Sequence, residues 1–252
     1  MSSTAGRWPY PSLIAHRGAG LYAPENTLAA VRLGAAQGFR MMEYDVKLTR
    51  DGVAVLLHDD TVDRTANGRG RAADLSLAEL AWLDFGAWHS APYAGEPIAT
   101  LHSIAAYTLA NGICSNIEIK PTTGQEDATG EQVALLAKAL WASAATPPLL
   151  SSFSEAALRA AMMAAPELPR ALLIAKEIPA DWRERAADLQ CMGLNLNHRY
   201  TTKPMVDAML EAGYSVAVWT VNDPSRAREL LNWGCHAIVT DEIHAVSPMF
   251  FS

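Results

Sequence analysis

The sequence predicts an α/β chain closed into a (β/α)8 barrel, and three observations carry the prediction. Short apolar runs rich in β-branched residues alternate with longer Ala- and Leu-rich segments of helical period, the pattern of repeated βα units around a parallel sheet. The chain has 252 residues, 50% of them apolar, and no interdomain linker, which suits one large core. Several apolar runs end on charged residues, and a barrel of this kind exposes its chemistry at the C-terminal ends of its strands.

Strands are expected over 12–16, 41–47, 53–57, 114–119, 148–152, 170–175, 193–197, 215–220 and 237–240. In LIAHRGAGLYAPENT, Leu13 to Thr27, the first strand stops on His16 and Arg17. PENT then opens a helix, with Glu25 and Asn26 as capping and supporting residues. After MMEYDVK and VAVLLHDD the rhythm breaks. From Asp60 to about Thr100 turn residues dominate, so 60–100 is expected to be a small insertion in an early βα loop. Further on, Glu131–Ala142 places Val133, Leu136, Ala137 and Leu140 on one helical stripe, and Thr201–Gly213 is expected to cross between strands 193–197 and 215–220. In NDPSRARELLNWG, Asp223 is an N-cap, Pro224 fits the first helical position and Gly234 stops the helix. Residues 1–252 together are expected to form one TIM-barrel domain.

The formal charge of −7 argues against an extended nucleic-acid face. The N-terminal MSSTAGRWPYP has no apolar leader, and Ala156–Ala175 is interrupted by Arg159, Pro166, Glu167, Pro169 and Arg170, so neither a signal peptide nor a stable membrane insertion is expected. Cys114, Cys191 and Cys235 lie far apart without a CxxC pair, as reduced thiols of a cytoplasmic protein would.

Glu43 and Asp45 are two apart and project from one face of a strand, while Glu118 closes another. Three carboxylates in one barrel mouth repel unless protonated or bridged, and an oxygen-only set suits Mg²⁺, Ca²⁺ or Mn²⁺ better than zinc. The same Glu-x-Asp spacing also fits a solvated strand face. His16 and His58 end different strands, and imidazole both takes and gives a proton near neutrality, although each alone also fits a structural histidine. Arg17 and Lys120 are either donors to an anionic oxygen group or ion-pair partners of the carboxylates. Jointly these residues describe phosphate-ester hydrolysis better than acyl transfer, and no GxSxG, HExxH or GxxxxGK[ST] motif is present.

HRGAGLYAPENT, EYDVKLTRDGVAVLLHDDTVDRTANGRG, NIEIK, VAVWTVN and VTD, in this order over nearly the whole chain, resemble the glycerophosphodiester phosphodiesterase family of the bacterial cytosolic type. The resemblance implies a TIM barrel with a small insertion and metal-dependent cleavage of a small glycerophosphodiester to glycerol 3-phosphate and an alcohol. It implies His16 and His58 as the acid–base pair, and Glu43, Asp45 and Glu118 as ligands of one divalent cation, Mg²⁺ or Ca²⁺ with Mn²⁺ an alternative. Arg17 and Lys120 would contact the phosphate, and Trp219 would help wall the pocket. Lysophospholipase D chemistry on a monoacyl substrate and a noncatalytic phosphate-ester-binding barrel are the alternatives. Which imidazole is the base, and whether water or the glycerol 2-hydroxyl attacks, stay open. Asp241 of VTD either orients a basic residue or is a turn carboxylate, and Asp59 and Asp60 are expected to stabilise their loop. One departure is PIATLHSIAAY, with His102 near a position where relatives commonly carry Glu.

Overall fold

The computed structural model describes residues 8–249, so the expectation for MSSTAGR lies outside the described residues. Nine strands follow in chain order: β1 (Leu13–Ala15), β2 (Met41–Leu48), β3 (Ala54–Leu56), β4 (Cys114–Ile119), β5 (Leu149–Ser152), β6 (Arg170–Ile174), β7 (Gly193–Asn197), β8 (Ser215–Trp219) and β9 (Ala237–Thr240). Eight of them are parallel and ordered β1-β9-β8-β7-β6-β5-β4-β2, and the pairing of β1 with β2 closes the TIM barrel.

The expected strand at 53–57 exists, but it is not a barrel strand. β3 turns straight back and pairs antiparallel with β2, Val46 opposite Leu56. Only five residues separate the two strands, and Gly52 at φ 75° makes the turn; a parallel neighbour needs a crossover of a dozen residues or more. The insertion therefore starts directly after β2.

Helices α1 (Leu28–Ala36), α2 (Leu77–Leu80), α3 (Leu101–Ala110), α4 (Glu126–Leu140), α5 (Glu155–Ala164), α6 (Trp182–Asp188), α7 (Lys203–Glu211) and α8 (Pro224–Asn232) complete the chain order. All but α2 cross between successive barrel strands. α4 starts earlier than the stripe from Glu131 implies, at Glu126–Asp127, two acidic residues in the first turn that suit the positive end of a helix. α2 belongs to the insertion, which folds around its own apolar cluster of Val55, Leu57, Val62, Ala72, Leu80, Phe85 and Ile98.

β2 is buried along its whole length because both faces are covered, as in parallel sheets generally. Met42, Tyr44 and Val46 pack in the layer between barrel and helices, whereas Met41 joins Ile14, Leu149, Ala171, Ala217 and Ala237 inside the barrel above Tyr10. This interior fill turns polar toward the C-terminal ends, where Glu43, Asn116, Ser151 and Asn195 are each at most 4% exposed. No helix among the described residues is long and apolar enough to cross a membrane, and the three cysteines are free thiols.

Candidate active site

The first strand ends in a tight turn because Arg17, Gly18 and Gly20 all take positive φ, at 50°, 94° and 56°. A Cβ on Gly20 would lie 2.1 Å from the carbonyl oxygen of Asp241, so glycine lets the loop after β1 rest on the loop after β9. That contact brings Asp241 Oδ1 to 2.5 Å from His16 Nδ1. A carboxylate only accepts, so Nδ1 carries the proton and Nε2 is left toward Glu43, 3.8 Å away. His58, just beyond β3, has the same arrangement, with Nδ1 donating to Asp59 Oδ1 at 2.7 Å.

Glu43 and Asp45 lie beside Asn116 and Glu118 in the β2–β4 register. One oxygen from each of Glu43, Asp45 and Glu118 falls within 4.8 Å of the others, and all three residues are buried. Burial pushes the carboxyls of Glu43 and Glu118 up, with the charge of Asp45 adding to the shift. Burial opposes charge on Asp45 as well, but Arg17, Lys120, His58 and the hydrogen bond from Asn26 outweigh it and hold its carboxyl well below the usual range. For His16, burial disfavours the charged form but Asp241 and Glu43 more than compensate, so its pKa is raised; His58 is lowered, chiefly by burial.

Each carboxylate is held. The Arg17 backbone N–H donates to Glu43 Oε2 at 2.9 Å, Asn26 Nδ2 donates to Asp45 Oδ2 at 2.8 Å, and Lys120 Nζ donates to Glu118 Oε1 at 2.7 Å. Glu43 Oε1 is buried with no hydrogen-bond partner among the described residues. An orphaned carboxylate oxygen amid two further buried carboxylates fits a hard divalent cation held by Glu43, Asp45 and Glu118.

A second layer of ion pairs comes from the insertion. Arg17 Nη1 donates to Glu25 at 2.7 Å, and Arg64 grips the same Glu25 through Nη1 and Nη2, both at 2.8 Å. Arg64 Nε also donates to Asp59 at 2.7 Å. Arg64 thus ties the carboxylate behind Arg17 to the one behind His58.

A cavity of about 310 Å³ opens over these groups, lined by His16, Arg17, Glu43, His58, Glu118 and Lys120, with Phe153, Leu173 and Trp219 as apolar walls and Asn116, Ser151 and Asn195 among its polar residues. Trp219 Nε1 donates to the Asn195 carbonyl at 3.1 Å, and its ring meets Phe153 edge-on at 5.4 Å. The eight residues singled out in the sequence therefore meet at one mouth, with Asp45 just behind the cavity wall. Glu25 and Asn26 do not cap the first helix, whose N-cap is Thr27; they hold Arg17 and Asp45. Asp60 pairs with the buried Lys47 at 3.2 Å, and His102 is exposed on α3, outside the cavity. Sequence reading passed over Arg64, Asn116, Ser151 and Asn195. Asn116 was within reach, two residues before Glu118 and so on the same strand face.

The profile of the Glycerophosphoryl diester phosphodiesterase family matches residues 16–245. A glycerophosphodiester phosphodiesterase from Caldanaerobacter subterraneus subsp. tengcongensis is 31% identical over 230 residues, covering 91% of this chain and 93% of the relative. A phosphodiesterase of Oleispira antarctica, solved in complex with the product sn-glycerol-3-phosphate, superposes with a TM-score of 0.89 at 35% identity, covering 96% of this chain and 98% of that one. A glycerophosphodiester phosphodiesterase from Agrobacterium tumefaciens gives a TM-score of 0.79 at 26% identity, over 93% and 98% of the two chains.

Proposed function

Since the chain belongs to the glycerophosphoryl diester phosphodiesterase family, we propose that it hydrolyses small glycerophosphodiesters to glycerol 3-phosphate and a free alcohol, with His16 and His58 as the acid–base pair. The observation that carries this reading is the pair of carboxylate-backed imidazoles bordering one cavity with a buried carboxylate triad. The Oleispira relative, which holds sn-glycerol-3-phosphate as its product, supports the same substrate class.

Arg17 and Lys120 carry fixed positive charge at the cavity and are the groups that bind the phosphate. Asp241 and Asp59 fix the tautomers of their histidines, leaving each Nε2 free to exchange a proton with the substrate. One imidazole takes the proton of the attacking hydroxyl, and the other protonates the departing alkoxide, without which an ordinary alcohol leaves poorly. Glu43, Asp45 and Glu118 would hold a divalent cation, whose chemistry is to offset the negative charge that builds on the phosphoryl oxygens. The free thiols Cys114, Cys191 and Cys235 support a cytoplasmic setting, and we read the described residues as one domain with its insertion.

Steady-state release of glycerol 3-phosphate tests the assignment. His16→Ala and His58→Ala each lower kcat by roughly 100- to 10,000-fold while circular dichroism stays that of the parent protein. A nitrophenyl phosphodiester, whose leaving group needs no proton, restores only the variant lacking the acid. Wild-type turnover in either variant contradicts the proposal. Preference for a monoacyl substrate would move the reading to lysophospholipase D, and binding without product would move it to a noncatalytic barrel.

A further inference from the structure

We propose that Asn116 and Asn195, with Ser151, recognise the hydroxyl groups of the glycerol half of the substrate; the inference rests on the phosphodiesterase reading above. Both asparagines line the cavity and are only 2% exposed. Asn116 Oδ1 accepts from Ser151 Oγ at 2.9 Å, which leaves its Nδ2 donors without a partner among the described residues. The Asn195 side chain makes no hydrogen bond to any described residue, while its backbone carbonyl is fixed by Trp219 Nε1. Enclosed amides that line a cavity with donors and acceptors to spare are placed to pair with what fills it.

The rest of the cavity decides what that partner is. Its cations, Arg17 and Lys120, and both imidazoles cluster with the carboxylates, so an anionic phosphate is held there. Asn116 lies two residues before Glu118 on the same face of β4, Ser151 is the register partner of Glu118 on β5, and Asn195 follows on β7. Two amides and a hydroxyl that are themselves uncharged, with the carboxylate of Glu43 beside Asn116, suit a neutral partner that both donates and accepts, and each carboxamide offers both functions. A vicinal diol attached to the phosphate has this chemistry, and glycerol is small enough for a cavity of about 310 Å³. Sites built to hydrogen-bond a hydroxyl reject analogues that lack it, because the buried polar groups are then left unpaired.

The experiment compares two diesters of the same alcohol, one of glycerol 3-phosphate and one of 2-hydroxypropyl phosphate, which keeps the 2-hydroxyl and lacks only the terminal one, on the full chain with Mg²⁺ or Ca²⁺, for wild type, Asn195→Leu and Asn116→Ser. Wild type is expected to favour the glycerol diester in kcat/KM by roughly 10- to 100-fold, and each substitution to collapse that ratio toward one. Calorimetry with glycerol 3-phosphate and 2-hydroxypropyl phosphate should show the same loss of preference in affinity, a readout independent of turnover. If Asn195→Leu does not fold, Asn195→Ser makes the same comparison. A ratio that neither substitution moves overturns the assignment of these residues, as does an equal fall for both diesters. Wild type that turns over neither diester overturns the phosphodiesterase reading itself.

Discussion

Arg64 lies outside the catalytic cavity, yet its guanidinium binds both Glu25, the carboxylate behind Arg17, and Asp59, the carboxylate behind His58. Such outer partners set the orientation of the groups that meet substrate. Arg64→Ala is expected to lower kcat by about 10- to 100-fold with little change in melting temperature, because the side chain is 44% exposed. Arg64→Lys should recover only part of the rate, since an ammonium cannot span two carboxylates as a planar fork does. An unchanged kcat in both variants would remove Arg64 from the positioning network. This residue also shows where sequence reading stops. Glu43 and Asp45 were legible because a strand has period two, and His16 and Lys120 because they end apolar runs. Arg64 meets Glu25 across 39 residues, only because the insertion folds back over the first loop, and no local spacing encodes that.

Strand bounds and the ends of the last helix were the most legible elements, since each rests on local chemistry, whereas the start of α4 and the cap of α1 were displaced. The last helix is the clearest case: the Asp223 side chain accepts from the N–H groups of Ser225 and Arg226, Pro224 opens α8, and Gly234 at φ 96° follows its end. Asp223→Ala should cost about 1 kcal/mol, read as a lower urea midpoint with kcat/KM unchanged. An unchanged midpoint would mean that the cap contributes nothing to native stability. β3 was harder to classify. Its apolar run says strand, but direction depends on the connection, and only the short gap after β2 reveals the hairpin. The insertion was legible as an irregular stretch, whereas its private apolar cluster was not, because the residues that form it are scattered from Val55 to Ile98.

At the scale of the whole molecule, two cysteines report on the packed layer outside the barrel. Burial pushes the thiols of Cys191 and Cys235 up to about 12. Both stay protonated in the folded chain, whereas a thiol in the unfolded chain titrates near pH ~8.5. Their contribution is therefore complete below that pH and is lost progressively as pH rises toward 12. The urea midpoint should fall between pH 8 and 10, and Cys191→Ala with Cys235→Ala should flatten the fall. An equal slope in both proteins would contradict the burial.

The barrel closes where β1 meets β2, through the single registered pair Ala15–Met42, against six pairs between β2 and β4 and three between β1 and β9. Much of what crosses this seam is polar and belongs to the site: Arg17 on Glu43, Arg17 on Asp45, and Asn26 on Asp45. The polar contacts that build the site are consequently also a latch, holding the loop after β1 against β2. Divalent cation that binds only the closed form at 100 times its Kd adds about 2.7 kcal/mol. Melting temperature should rise with cation concentration, and amide hydrogen exchange between β2 and β4, which carry the three carboxylates, should slow more than exchange between β6 and β8. The side chains that shape the cavity thus also keep the barrel shut at its shortest pairing.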